Sequence, residues 1–123
     1  MPLNIAFELN ETHLLCLATG RIETSEELYQ FNTAMVQAVE KTGLRRILLD
    51  MQKSDSSLDY HDVLTAENRE TSDRFAMGGI RIAAVVSPHR LKAHQLYETM
   101  AINRSIVYKA FSGKQQALDW LHA

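Results

Sequence analysis

The groups with the clearest chemical potential are carboxylates and hydroxyls that follow an apolar run in the middle of the chain. The run Ile47-Leu48-Leu49 is typical of a strand covered on both faces of an α/β sheet. It ends at Asp50, and the polar run Lys53-Ser54-Asp55-Ser56-Ser57 follows. Open α/β sheets usually place their ligand sites in loops at the carboxyl ends of parallel strands. We therefore predict a polar loop here, at an accessible edge of the sheet.

A second polar group follows the apolar segment Ile80 to Val86. Because the carboxyl ends of neighbouring parallel strands meet at one edge, we expect the two groups to lie together. The candidate binding residues are Asp50, Ser54, Asp55, Ser87, His89 and Arg90. In a plainer interpretation, the serines satisfy free amides at helix starts and Asp55 complements a helix dipole. Both interpretations stay open.

The remaining reactive residue types show no pattern of a catalytic or metal site. No histidine has a tight ligand spacing with Cys, Asp or Glu, so all five are interpreted as surface residues. The single cysteine, Cys16, lies in an apolar run and is predicted to be a small core residue in a reducing compartment. No base–nucleophile pairing is visible. We assign no catalytic residue, no metal and no cofactor. The five histidines are His13, His61, His89, His94 and His122.

Length and composition indicate one domain spanning residues 1–123, with 46% hydrophobic and 23% charged residues. The formal net charge of −2 provides no electrostatic reason to expect binding to nucleic acid. No stretch approaches the roughly 20 apolar residues that span a membrane. The start, Met1-Pro2-Leu3-Asn4, lacks the pattern of a signal peptide, and we expect a cytoplasmic protein.

The elements that must position these residues begin with a hairpin and a capped helix. Alternation over residues 5–9 and the apolar run 13–22 predict two antiparallel strands joined by a short turn. The segment Thr24-Ser25-Glu26-Glu27 is a capping-box pattern that predicts a helix start. Gly43 suits the position just after that helix.

A second helix is predicted from about Leu58 to Met77. Its middle is almost wholly polar, so it should bury only its ends and be the least tightly held element. An apolar cleft is predicted beneath it. The candidate cleft residues are Tyr60, Leu64, Phe75 and Met77.

The last third of the chain predicts a strand from Ile80 to Val86, a helix from Ser87-Pro88, a strand from Ile106 to Phe111 and a closing helix. Another capping-box pattern, Ser112-Gly113-Lys114-Gln115, begins the closing helix. The order is β-β-α-β-α-β-α-β-α. We predict a single-domain layered α/β fold, with a mixed five-stranded sheet (an N-terminal hairpin, then β-α-β-α-β-α) and four helices.

The segments Val107-Tyr108-Lys109-Ala110-Phe111 and Ala117-Leu118-Asp119-Trp120-Leu121 resemble a known pattern. They are similar to the closing strand and helix of small bacterial proteins resembling the anti-sigma-factor antagonist, or STAS, fold. In the wider STAS family, a partner kinase phosphorylates a serine in an Asp-Ser-Ser-Gly-like segment after the central strand. The resemblance places Asp55-Ser56-Ser57 there, with Leu58 at the glycine position. It makes Ser56 and Ser57 candidate phosphoacceptors.

Two functions follow as expectations. The first is a non-enzymatic regulatory module that recognises a protein partner through Ser54–Ser57 and the following helix, with serine phosphorylation as a candidate control. The second is a small lipid- or metabolite-binding protein, an idea that similarity to CRAL-TRIO domains suggests for the small relatives. An enzyme using Asp50 or His89 has least support. A homodimer through an exposed edge strand or apolar helix also stays open.

Overall fold

The computed structural model describes residues 3–56, 58 and 69–123. Within this part of the chain, the predicted strands and helices appear in the predicted order, with a short 3-10 turn before the third helix. The bounds are β1 Asn4–Leu9, β2 Leu14–Ile22, α1 Ser25–Thr42, β3 Arg46–Ser56, α2 Arg69–Met77, β4 Arg81–Val85, the 3-10 turn Pro88–Arg90, α3 Leu91–Asn103, β5 Val107–Phe111 and α4 Lys114–Leu121.

The five strands form one mixed sheet in the spatial order β1-β2-β3-β4-β5. The short connection at residues 10–13 joins β1 and β2 as an antiparallel hairpin, whereas β2 to β5 run parallel. Parallel neighbours need a crossover long enough to return the chain to the same edge, and helices provide it here. The predicted mixed sheet is confirmed, and β3 is its central strand.

β3 is longer than the sequence predicts. After a register shift between Leu17 and Thr19, β2 continues to pair with β3, and its residues 20–22 lie opposite Ser54, Asp55 and Ser56. The prediction that the chain leaves the sheet after Asp50 and forms a polar loop is therefore wrong up to Ser56. The physical reason is that backbone pairing depends on a neighbouring strand, and β2 supplies one although these side chains are polar.

Both predicted ends of α1 are confirmed. The Glu27 amide donates to the Thr24 hydroxyl at 3.2 Å, and the Thr24 amide donates to the Glu27 carboxylate at 3.1 Å. Gly43 has a φ of 78°, and its amide donates to the Val39 carbonyl at 2.8 Å. The capping box and the left-handed residue satisfy backbone groups that a helix leaves free at its ends.

The sheet carries a core on each face. On one face, α1, α2 and α3 pack over a core that includes Cys16, Leu49 and Ile82. On the other face, α4 buries its apolar side against Leu48 and Val85. This two-sided cover explains why the run 47–49 is apolar without alternation.

Three expectations about burial and capping are wrong. His13 and His94 are buried, with 7% and 4% of their surface exposed, rather than lying at the surface. Met77 is 87% exposed, so it is not a buried end of α2. The closing helix has Gly113 at its N-cap position and no side-chain cap, so the second capping box does not form. Burial of a histidine or methionine depends on which distant residues pack against it, and a capping box depends on the final position of the helix start. Local spacing in the sequence shows neither.

Candidate functional site

The end of β3 meets the start of α3 at a polar contact that we call the rim cluster, made by Asp55, Ser56, Arg90 and Tyr97. Arg90 Nη1 pairs with Asp55 Oδ1 and also donates to the Ser56 carbonyl at 3.5 Å. The Arg90 side chain is 20% exposed, whereas that of Asp55 is 55% exposed. The guanidinium therefore lies mostly inside, with the carboxylate on its solvent side.

The Ser56 hydroxyl is held from two directions. It accepts the Leu58 amide at 3.1 Å, and it is hydrogen bonded to the Tyr97 side chain. The Ser56 amide in turn donates to Asp55 Oδ1 at 2.8 Å. These bonds connect the candidate phosphoacceptor directly to the charged pair, although the residue itself is only half-buried.

The electrostatics of the rim cluster favour a charged Asp55 and a neutral Tyr97. The amide of Ser56 has the largest effect and lowers the pKa of Asp55; burial, the next largest, raises it, and the charge of Arg90 lowers it again, with a net lowering. Burial raises the pKa of Tyr97, while the bond to Ser56 and the charge of Arg90 partly offset that effect. Tyr97 thus keeps its phenolic proton near neutral pH.

Beneath the rim cluster, His94 is a buried neutral residue. Its Nδ1 shares a hydrogen bond of 3.1 Å with the Tyr108 hydroxyl, and its ring meets that of Tyr97 edge-on at 4.9 Å between centroids. Burial, and then the nearby charge of Arg90, lower the pKa of His94 to about 4. Burial also raises the pKa of Tyr108. At neutral pH this pair therefore carries no charge.

These residues lie beside a cavity of about 170 Å³ between the sheet and the helices α1, α2 and α3, which we call the interhelical cavity. Its described lining is largely aromatic, aliphatic and methionine side chains, and polar groups come from the rim cluster and from Asn32, Ser54, Thr71 and Arg104. The residues that the argument uses below are Phe31, Met35, Phe75, Arg90, Tyr97 and Met100.

The predicted cleft residues divide into three groups. Phe75 is buried and lines the interhelical cavity. Met77 projects into solvent and is not part of that lining. Tyr60 and Leu64 lie outside the described residues, as does the candidate phosphoacceptor Ser57.

The predicted binding residues do not all share one place. Ser54 lines the interhelical cavity with Asp55 and Arg90, and its hydroxyl donates to the Met51 carbonyl at 2.9 Å. Asp50 lies on the opposite face of the sheet, because it is one residue from Leu49 in a strand and it is paired with Val85. Asp50 is therefore not part of the rim cluster, because its side chain lies on the α4 side of the sheet.

The other two predicted residues lie at the edge of the rim cluster. Ser87 donates its hydroxyl to the Gln52 carbonyl at 3.4 Å. His89 is exposed and lies close enough to lower the pKa of Asp55 slightly. In the described part of the chain, no three His, Cys, Asp or Glu side chains are grouped so that they could hold a metal ion.

Sequence reasoning missed the polar side of α3. Arg90, His94, Tyr97 and Ala101 follow one another at intervals of four, three and four residues, which places them on one helix face. Ala93, one position before His94, is exposed. The spacing of His94, Tyr97 and Ala101 was the available signal for this face.

No protein-family profile and no curated protein matches the chain. Solved structures do match. An uncharacterised DUF3478-family protein with a SpoIIAA-like fold, from Shewanella loihica PV-4, is 20% identical, with a TM-score of 0.60 and coverage of 97% of this chain and 93% of its own. The anti-sigma factor antagonist SpoIIAA, in its unphosphorylated form, is 10% identical, with a TM-score of 0.56 and coverage of 98% and 99%.

The chain accordingly has the SpoIIAA-like fold, and the STAS-like resemblance is confirmed as a likeness of fold. The anti-sigma factor antagonist SpoIIAA shares this fold. No helix among the described residues combines the length and apolar character needed to cross a membrane.

Proposed function

We propose that this chain is a non-enzymatic regulatory module that binds a protein partner through the end of β3 and the segment that follows it. The observation that carries the proposal is the Asp55–Arg90 pair, which ties the end of the central strand to the start of α3 at an accessible edge. The likeness to SpoIIAA, an anti-sigma factor antagonist, supports it.

The proposed contact surface offers charge and hydrogen-bonding groups on a rigid base. Asp55 is more than half exposed, and His89 lies exposed beside it. The backbone beneath Asp55 is held in the ladder between β2 and β3. Because such a strand does not have to become ordered on binding, less conformational entropy is lost when a partner docks.

Serine phosphorylation is the proposed control. A phosphate on Ser56 would add about −1.5 to −2 charges beside Asp55 and within reach of Arg90. Since Arg90 already contacts both Asp55 and the Ser56 carbonyl, it can turn from the carboxylate to the phosphate. The Ser56 hydroxyl must first leave Tyr97 and the Leu58 amide. Ser57 is the alternative acceptor.

The first experiment is phosphosite mapping by mass spectrometry on protein purified from its own host under several growth conditions. Phosphate on Ser56 or Ser57 is expected, and Ser112, an exposed serine remote in sequence, provides the internal control. Finding both candidate serines unmodified in every condition would remove the phosphorylation control but leave partner binding to be judged separately.

The second experiment measures partner binding by in-cell cross-linking and quantitative affinity capture. Asp55→Asn and Ser56→Asp are expected to reduce capture of a specific partner at least about fivefold, about 1 kcal/mol. The matched control is Asp119→Asn, which removes an exposed carboxylate from α4. Equal capture by all variants and the wild type would contradict the proposed surface.

We also propose that the protein acts in the cytoplasm. Self-association is a separate hypothesis. Phe7 and Leu9 are 37% and 71% exposed on β1, an outer strand of the sheet. Exposed edge strands can pair with a second copy. Light scattering after size exclusion tests this, and a monomeric mass at about 100 μM would contradict a homodimer.

A further inference from the structure

We propose that the interhelical cavity binds a small monocarboxylate with a compact apolar body, whose carboxylate pairs with Arg90. This inference goes beyond partner recognition and does not require it. The volume of the cavity, its lining and the guanidinium of Arg90 at its edge together indicate this ligand class. Arg104 also lines the cavity, and it already has an interaction partner.

The volume of the interhelical cavity limits the size of the ligand's apolar part. An engineered protein cavity of about 150 Å³ holds one benzene molecule. The interhelical cavity, at about 170 Å³, has room for one ring or a short branched chain, with the polar end left at the rim cluster. A long acyl chain does not fit within that volume.

The lining suits a ring. Phe31 and Phe75 are buried core residues that line the interhelical cavity, and Met35 and Met100 lie there with them. Methionine side chains adapt to irregular shapes and make favourable contacts between sulfur and aromatic rings. Aromatic side chains favour offset or edge-on contact with another ring.

The positive charge of Arg90 determines where the carboxylate of the ligand would bind. Among the described residues, Arg90 bonds to Asp55 and Ser56 through Nη1; its side chain is 20% exposed, and a guanidinium has five N–H donors. A carboxylate can therefore take up a two-point contact with Arg90 from the cavity side. Tyr97 keeps its proton and can donate a hydrogen bond, and neutral His94 adds no competing charge. Asp55 also lines the cavity, but its side chain is 55% exposed and paired with Arg90, so solvent and that pair weaken its repulsion of an anion.

Such a ligand would also act on the rim cluster. A carboxylate that shares Arg90 weakens the Asp55–Arg90 pair, because both anions compete for one cation. Ligand binding would then change the surface that the proposed function assigns to a protein partner. Binding itself is measured on the isolated chain, so a failure of partner recognition would leave this result intact.

The experiment titrates the isotope-labelled full chain with phenylacetate and, as the neutral counterpart of the same ring, 2-phenylethanol. At pH 7 and low salt, phenylacetate is expected to shift the methyl NMR signals of Met35 and Met100 and to bind at least tenfold more tightly than 2-phenylethanol. The exposed Met77 methyl is the internal control and should not shift. No shift at either cavity methionine up to 10 mM phenylacetate would overturn the proposal.

Two variants separate the roles of charge and volume. Arg90→Gln is expected to abolish the preference for phenylacetate over 2-phenylethanol, while Met100→Trp should fill the cavity and abolish both. The matched control for the second variant is Met77→Trp, outside the cavity lining, which should bind like the wild type. Thermal unfolding of each variant verifies that it is folded.

Three results count against the proposal. Equal affinity for the two probes in the wild type would remove the role of Arg90. Unchanged binding in folded Met100→Trp would place the ligand elsewhere. Tighter binding of dodecanoate than of phenylacetate would overturn the size argument, because a twelve-carbon chain exceeds the cavity.

Discussion

Arg90, just before α3, and His94, within it, show how burial changes the consequence of a titratable group. Arg90 lies at the rim, and its pair with the exposed Asp55 is of a kind that contributes only about 0–1 kcal/mol to stability. Its importance is in orienting the end of β3. His94, one turn further along α3, is almost completely enclosed and stays neutral. Arg90 can thus exchange Asp55 for another anion, whereas the buried hydrogen bond between His94 and Tyr108 keeps these side chains in place beside the cavity.

The first prediction concerns pH. The pKa of His94 is about 4 in the folded chain and about 6.5 when unfolded, so between these values the unfolded state binds the extra proton. The free energy of unfolding should therefore fall as the pH falls from about 6.5 to about 4, by about 3 kcal/mol from this residue. Above pH 6.5, His94 should cause no further change in the free energy of unfolding.

Urea unfolding at several pH values between 4 and 7 measures this effect, with His94→Gln as the comparison. The variant should show a shallower dependence on pH, and the slope that remains includes His13, whose pKa is lowered by burial and by His122 and Lys114. Parallel curves for the wild type and His94→Gln would show that His94 is not the cause.

At the scale of elements, α1 and β3 are determined in different ways. The ends of α1 are set by its own residues, through the capping box of Thr24 and Glu27 and the left-handed Gly43. The end of β3 is set by its neighbour, because the pairing with β2 carries it on to Ser56. A local pattern is enough for α1, but β3 needs the partner strand in place.

A second prediction tests the cap of α1. Thr24→Ala removes the hydroxyl that accepts the Glu27 amide and should lower the free energy of unfolding by about 1 kcal/mol. Thr99→Ala is the control, because Thr99 is exposed on α3 and its hydroxyl donates back to the Gln95 carbonyl of the same helix. Equal losses for the two variants in urea unfolding would mean that the cap is not the stabilising feature.

At the scale of the molecule, the sheet separates two cores that differ in size and in the helices that cover them. One face carries three helices, the larger core and the interhelical cavity, while the other is covered by α4. The central strand β3 contributes residues to both cores, and its polar end lies beside the cavity. The rim cluster therefore adjoins the cavity, whereas Asp50 is not part of the cavity lining and lies beside Val85 on the α4 side.

A third prediction concerns the whole fold. Cys16 lies on β2 with no exposed surface, and burial raises the pKa of its thiol to about 12. Reaction with iodoacetamide at pH 8 should then require unfolding, and the labelling rate should follow the unfolded fraction through a urea titration. Fast labelling of the native chain, at a rate near that in denaturant, would contradict this picture of the core.

The order of elements, the hairpin, the helix starting at Thr24 and the central place of β3 were determined by the sequence by itself, because caps, short connections and apolar periodicity act between near neighbours. Only the tertiary structure decided that β3 reaches Ser56, that Asp50 lies on the α4 side of the sheet, that His94 is buried beside Tyr97, and that Met77 is exposed. Each of these depends on which distant surface packs against the residue, and that contact forms only when the sheet and helices come together.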